Sequence, residues 1–261
     1  MDAEDRRAIH PRPTAQRRCS GQLRGTDRKP AERRSPPAAL TSWLRQGLRG
    51  GTCPLCRVAH KADREFIWQF YDERSNDGAV IDEVSRAYGF CVEHVEMLRR
   101  IDVENMKSTL AISTMFADTF AGIVEELAGL SPDAQFDPRQ CPACAARDGY
   151  LRRNALYLLD LLATSPGHRK SYEASPGVCF PHFKLAWDLA PTHADRELLL
   201  EVQRNAAGSL LHELREHVRK HDHKFAHEPK GTERDSWERA LFLTAGWPPP
   251  EESAAEPEHR L

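Results

Sequence analysis

Apolar residues recur along most of this chain with the period of an α-helix, and the breaks between periodic stretches mark out the elements. Val58, Ala59, Ala62, Phe66, Ile67, Phe70 and Tyr71 form one helical stripe. Asn76-Asp77-Gly78 reads as a turn, Val80 to Tyr88 as a short second helix, and Gly89 as a left-handed stop. Val95, Leu98 and Ile101 continue a helix beginning near Val92. A longer helix is expected from about Val103 to Leu127, burying Leu110, Met115, Phe116, Phe120, Ile123 and Leu127.

The same plan then recurs. Tyr150, Leu151, Ala155, Leu158, Leu159 and Leu162 line one face, Pro166-Gly167 breaks the pattern, and a short helix ends near Pro191. A long helix is expected from Asp195 to His221 through Leu199, Val202, Ala206, Leu210, Leu214 and Val218. Asp235-x-x-Glu238 has the form of a capping box for a last short helix carrying Trp237, Ala240 and Leu241, closed by Gly246 and the prolines 248–250. Ahead of all this, Leu40, Trp43, Leu44 and Leu48 share a helical face that Gly50-Gly51 ends. No stretch alternates with the period of a strand, so the fold class is all-α, which excludes a Rossmann sheet and an α/β-hydrolase.

The chemistry sits at the breaks. Cys53-Pro-Leu-Cys56 is followed after 34 residues by Cys91-Val-Glu-His94, and Cys141-Pro-Ala-Cys144 is followed after 34 residues by Cys179-Phe-Pro-His182. Adding 88 to each residue of the first set gives the second, and the offset also relates Pro54 to Pro142 and Gly89 to Gly177. A tandem duplication accounts for this, with each repeat supplying three thiols and one imidazole, a full tetrahedral set for a metal. Pro suits the first turn of a helix, which places the CPxC pairs at helix N-termini, where exposed N–H groups and the helix dipole stabilise thiolate. Pseudo-symmetric halves can also exchange their CxxH segments. The identical 34-residue connection favours local closure, with Cys53, Cys56, Cys91 and His94 in one site and Cys141, Cys144, Cys179 and His182 in the other. Each half would then be a helical repeat with its own Cys3His site, the two forming a pseudo-twofold bundle.

Composition sharpens this picture at the ends. Residues 1–52 carry a net charge of +7 and the rest −9, within a total of −2. The domain reading is a disordered basic Arg/Pro-rich arm at 1–38, repeats at 39–133 and 134–227, a C-terminal short helix within 228–247 packing on the body, and a disordered acidic tail at 248–261. Nucleic-acid binding is unlikely, open only to the arm; the partner expected is a protein. No apolar run is long enough to cross a membrane, and the N-terminus lacks a segment of signal-peptide type. Six of the seven cysteines stand in CxxC and CxxH spacing, which fits metal binding in a reducing compartment, by default the cytoplasm. Cys19 has no neighbour at ligand spacing and is left out of the metal count.

Four protein ligands per site close the coordination shell, which favours two structural Zn2+ ions and no catalytic water. An iron–sulfur cluster in redox sensing or electron transfer is the alternative, since thiolate-rich sets with one His also hold such clusters. His212, His217, His221, His223 and His227 do not form a zincin motif: His212-Glu213 is followed by a His five residues after the first, which turns it about 140° away. They read as a solvated polar face. The chain lacks a Walker loop and a G-x-S-x-G elbow, and no catalysis is inferred.

CPLC, GFCxxH and CPAC, with Arg219-Lys220-His221-Asp222 and Asp235-Ser236-Trp237 near the C-terminus, resemble a bacterial family of uncharacterised proteins known as a domain of unknown function. The resemblance covers about residues 50–247. It implies a helical, duplicated, metal-binding protein and brings no activity with it.

Overall fold

In a computed structural model of the chain, the residues described are 46–47, 52–74, 77–106, 109–134 and 140–249. The arm at 1–38, most of the helix expected across Leu40–Leu48, and the tail from 250 lie outside them. Nine α-helices are bounded within the described residues, and no strand is found there. They are α1 (Pro54–Gln69), α2 (Gly78–Arg86), α3 (Val92–Arg100), α4 (Leu110–Ala128), α5 (Pro142–Thr164), α6 (Pro166–Glu173), α7 (Phe180–Leu189), α8 (His193–Arg219) and α9 (Ser236–Ala245). The offset of 88 also relates the first residues of α1 and α5, α2 and α6, and α3 and α7.

The molecule is built on the pairing of α1 with α5, its most extensive helix contact. Leu55, Val58 and Ala59 near the start of α1 share one core with Leu151, Ala155, Leu158, Leu159 and Leu162 farther along α5. Ile67 at the end of α1, with Phe70 and Tyr71 just past it, shares a second core with Cys141, Ala143 and Cys144 at the start of α5. The two helices are therefore antiparallel. Ala59 and Ala155, both buried, keep the contact shallow enough for the flanking leucines to interlock. Each core mixes side chains from both halves of the chain.

A π-helical turn, Phe70–Arg74, ends α1, and a second, Ile101–Met106, ends α3. Tyr71 Oη donates to Asp102 Oδ1 at 2.7 Å, tying the two turns together inside the protein. Gly89 and Gly177 have φ of +90° and +73°, and each turns the chain two residues ahead of a CxxH cysteine. At Gly177 a Cβ would lie 2.9 Å from Gln203 Oε1.

Several expected details differ. The helix expected from Val103 starts at Leu110, because the π turn intervenes. On it Met115 is buried, Phe116 and Ile123 are half-buried, but Leu110, Phe120 and Leu127 are exposed. Val218 is exposed as well, since α8 runs past the core toward its C-terminus. Pro166 does not merely break a helix; it opens α6, where its missing N–H costs nothing. Asp235 does not cap α9: its carboxylate accepts from Arg239 Nε at 2.9 Å, and Trp237 and Leu241 point outward, while Ser236 and Leu243 are buried. The capping box that does form is Thr192 with Asp195 at the start of α8.

Candidate metal centres

Four helices present the ligands in one local geometry. Cys53, Cys91, Cys141 and Cys179 are the N-cap residues of α1, α3, α5 and α7, and none uses its side chain to cap its own helix. Cys56, His94, Cys144 and His182 lie three positions on, at N3. An N-cap and an N3 side chain both lean over the open end of a helix, so each N-terminus offers two donors to one point. Two N-termini make a centre.

The pairs meet across the halves of the chain. Cys53 and Cys56 come together with Cys179 and His182, here centre I; Cys91 and His94 come together with Cys141 and Cys144, centre II. This corrects the local closure expected from the 34-residue connection. The reason is geometric: α1 has 16 residues and carries the chain about 24 Å away from Cys56. α2 and Gly89 then deliver α3 at that far end, and the antiparallel α5 has its own N-terminus there. The chain never has to return.

Within each centre the donor atoms all lie within 4.8 Å of one another. In centre I, His182 Nδ1 is 3.4 Å from Cys53 Sγ, 3.4 Å from Cys56 Sγ and 3.1 Å from Cys179 Sγ, and the Cys56 and Cys179 sulfurs are 3.6 Å apart. In centre II, His94 Nδ1 is 3.1 Å from Cys91 Sγ and 3.6 Å from those of Cys141 and Cys144, and the Cys91 and Cys144 sulfurs are 3.7 Å apart. Metal–sulfur bonds of about 2.3 Å and metal–nitrogen bonds of about 2.0 Å, at tetrahedral angles, put ligand atoms roughly 3.5–3.8 Å apart. The residues present fit one tetrahedral ion per centre, held through Nδ1.

The electrostatics point the same way. Burial opposes a charged imidazole at His94, but Asp63 and the thiols of Cys141 and Cys91 outweigh it and push its pKa up to about 10. Its bond to Cys144 pulls Cys141 down to about 3 against burial. In centre I burial again opposes the charge on His182, and Cys179 and Cys53 raise it to about 10. Hydrogen bonds from Cys179 and Cys53, with burial, push the Cys56 thiol up, whereas Cys53 is held down against burial by its bonds to Cys179, Cys56 and His182. Each cluster thus pairs a thiolate with an imidazolium, and a metal cation takes the place of the protons that remain.

The surroundings differ. In centre II, Asp63 of α1 accepts from His94 Nε2 at 2.9 Å, which fixes the tautomer that leaves Nδ1 for a metal. Arg147 Nη1 reaches Asp63 Oδ2 at 3.4 Å, and its Nη2 donates to Cys144 Sγ at 3.8 Å. In centre I the closure comes from the C-terminal end of the described chain. The backbone N–H of Trp247 donates to Cys56 Sγ at 3.3 Å, and His60 Nε2 donates to the Trp247 carbonyl at 2.7 Å. Gly246, with φ of +104°, lies so close that a Cβ there would be 3.5 Å from the Cys56 sulfur.

All eight expected ligands thus enter the two groups, whereas Asp63, Arg147, His60 and the Gly246-Trp247 strap were not foreseen. Asp63 did leave a signal: it is a carboxylate beside Ala62 within the buried stripe of α1, and a buried charge requires a partner. The backbone donor at Trp247 leaves no trace in sequence. His212, His221, His223 and His227 are exposed, and His217 stacks on His221 with ring centres 4.4 Å apart.

The class defined here is a protein whose described residues form helices without strands and carry two Cys3His groups. It belongs to a family of unknown function, DUF6062, whose model matches residues 49–251. No curated protein and no solved structure matches the chain. Among the described residues no helix is long and apolar enough to cross a membrane.

Proposed function

We propose that this is a non-catalytic helical module in which two structural Zn2+ ions bind the halves of a duplicated chain to each other, leaving its surface to engage or regulate a protein partner. The observation that carries the reading is the convergence of helix N-termini in pairs, with donor atoms in contact at 3.1–3.7 Å, close to the edges of a tetrahedron around one ion. Bound zinc supplies charge neutralisation and cross-linking. Cys53, Cys56, Cys179 and His182 would hold one ion and Cys91, His94, Cys141 and Cys144 the other; with four protein donors each, no position is left for a reacting water. The repeats are 39–133 and 134–227, exchanged at their CxxH segments, and the free-thiol chemistry suits a reducing compartment such as the cytoplasm.

The spacing favours a single ion over an iron–sulfur cluster, whose several irons set the terminal ligands farther apart than one tetrahedron does. Metal analysis of protein purified with and without air decides. Two zinc ions per chain and no absorption in the visible are expected. Brown protein with iron and acid-labile sulfide would overturn the zinc reading.

A further inference from the structure

The face of α4 turned to solvent has the wrong chemistry for solvent. Leu110, Ser113, Ala117, Phe120, Val124 and Leu127 are all exposed, with Leu110 at 74%, Phe120 at 60%, Val124 at 61% and Leu127 at 53%. Their spacing alternates three and four residues, the seam of a coiled coil. The opposite side of the helix is already used, with Met115 buried and Ile112 and Phe116 packed on the second core. α4 therefore has two apolar faces and the described residues cover one of them.

An internal control shows that this is not a property of the fold. The offset of 88 carries α4 onto α8, and there the corresponding exposed positions are Asn205, Gly208, Ser209, His212 and Arg215, opposite Ala117, Phe120, Ala121, Val124 and Leu127. Where α8 is polar, α4 is apolar. α8 is moreover attended by α9, which packs on it, while α4 packs mainly on α2.

We propose that the α4 seam pairs with the α4 seam of a second copy of this chain, antiparallel, in a two-fold dimer. Self-pairing with residues 110 and 127 opposed sets each large side chain against a complementary one: Leu110 against Leu127, Ser113 against Val124, Ala117 against Phe120. The charge at the C-terminal end favours this direction. α4 has no basic residue; its first turn has neither an acidic residue nor a side-chain cap, while its last turns hold the exposed Glu125 and, beside it, Glu126, which accepts from Tyr88 Oη at 2.6 Å in its own molecule. Glu125 opposes the dipole of its own helix at that end, and an antiparallel neighbour brings it toward the positive N-terminus of the other copy. The described residues ahead of residue 52, 46 and 47, lie away from the seam. Gly47 sits against Pro54, at the start of α1, whereas α4 packs in the core at the far end of that helix. A seam of six positions is short, so the dimer is reversible and concentration-dependent.

The inference does not depend on which metal is bound, and metal content is read on the same samples. Sedimentation velocity of the full chain from about 1 to 200 μM should show a monomer–dimer equilibrium. Phe120→Glu, at an exposed position, should raise the dissociation constant by about tenfold or more with unchanged helicity and metal content. Ser113→Leu should lower it several-fold by filling the layer against Val124, an effect no purely structural role for Ser113 would give. A chain that is monomeric throughout the range overturns the proposal, whether the seam stays bare or residues 1–45 cover it. So does a dimer that Phe120→Glu leaves intact.

Discussion

Centres I and II have one ligand scaffold and two different surroundings. At the positions that an offset of 88 relates to Asp63 and Arg147 of centre II stand Leu151 and Ala59, both buried and apolar. Centre II is thus closed from within the helical body by an ion pair. Three thiolates around Zn2+ leave one net negative charge, which Arg147 faces at Cys144 while Asp63 orients His94. Centre I has no such pair; His182 is half-buried, and the described residues place no carboxylate at its Nε2. Its sulfur charge is met instead by a backbone N–H from a strap that arrives after α9. The coordination shell is set by the helix N-termini, which are alike in both centres. What surrounds it is free to diverge, and has.

The most disruptive test removes ligands in pairs. Because each centre joins the two halves, Cys56→Ser with Cys179→Ser should lose one metal of two, and Cys56→Ser with Cys91→Ser should lose both. Local closure demands the reverse. Structural zinc contributes on the order of 10 kcal/mol of apparent binding free energy, comparable with the stability of a whole domain. Single variants such as Cys144→Ser should therefore drop to one metal and melt far below wild type. Metal counting by mass spectrometry with thermal melts checks both claims.

Next in size is the ion pair of centre II. Asp63→Leu copies the residue that centre I has, but leaves Arg147 only the Cys144 sulfur and the 3.9 Å contacts to Glu93 and Asp148, and frees the His94 ring. Loss of such an outer partner costs about 10–100-fold in metal affinity, here confined to centre II. Adding Arg147→Ala, which copies Ala59, should recover part of that loss, because removing both members of a buried pair is gentler than removing one. Chelator competition that found the double variant worse than the single would break the comparison.

Most of the helical plan is written in the apolar period, and the ligand set in the repeated spacing. The partition of ligands was also within reach, since a straight 16-residue α1 leads away from its own CPxC. Local closure needed the rest of the 34-residue connection to bring the chain back along that length, whereas α2 and α3 stay at the far end. The exposed side of α4 was less legible. Phe120 and Leu127 have the period of a buried stripe, and only the packing shows that Met115 faces inward while they face out. Asp235 misled because a carboxylate three residues before Glu238 satisfies the capping pattern, yet Arg239 one turn on competes for it and wins. Backbone donors such as the Trp247 N–H leave no mark on side-chain patterns at all.

The strap of centre I gives a smaller effect than the ion pair of centre II. Gly246 has φ of +104° and ψ of 153°, a region open essentially to glycine. Gly246→Ala should cost about 1–3 kcal/mol if the strap keeps its course. If it detaches, the global melt will hardly change and metal will leave centre I faster than centre II.

Smallest of all is the effect of His60, which lies one turn after Cys56 on α1 and holds the Trp247 carbonyl at 2.7 Å. One hydrogen bond of this kind contributes about 0.5–1.5 kcal/mol, and the half-buried site lets water replace part of it. His60→Ala should therefore leave both metals bound and the melt within a few degrees of wild type. Its mark should appear in kinetics. With the carbonyl released, the strap opens more often, the Cys56 sulfur loses its N–H donor during each opening, and zinc transfer from centre I to a chromophoric chelator should quicken by about two- to tenfold. Release from centre II should not change, because His60 bonds the Trp247 carbonyl while Asp63 bonds His94 and Arg147. His60→Gln, which keeps a donor of similar reach, should restore most of the wild-type rate. Equal acceleration at both centres would mean that His60 acts through the packing of α1 as a whole, and that the strap is not what holds centre I shut.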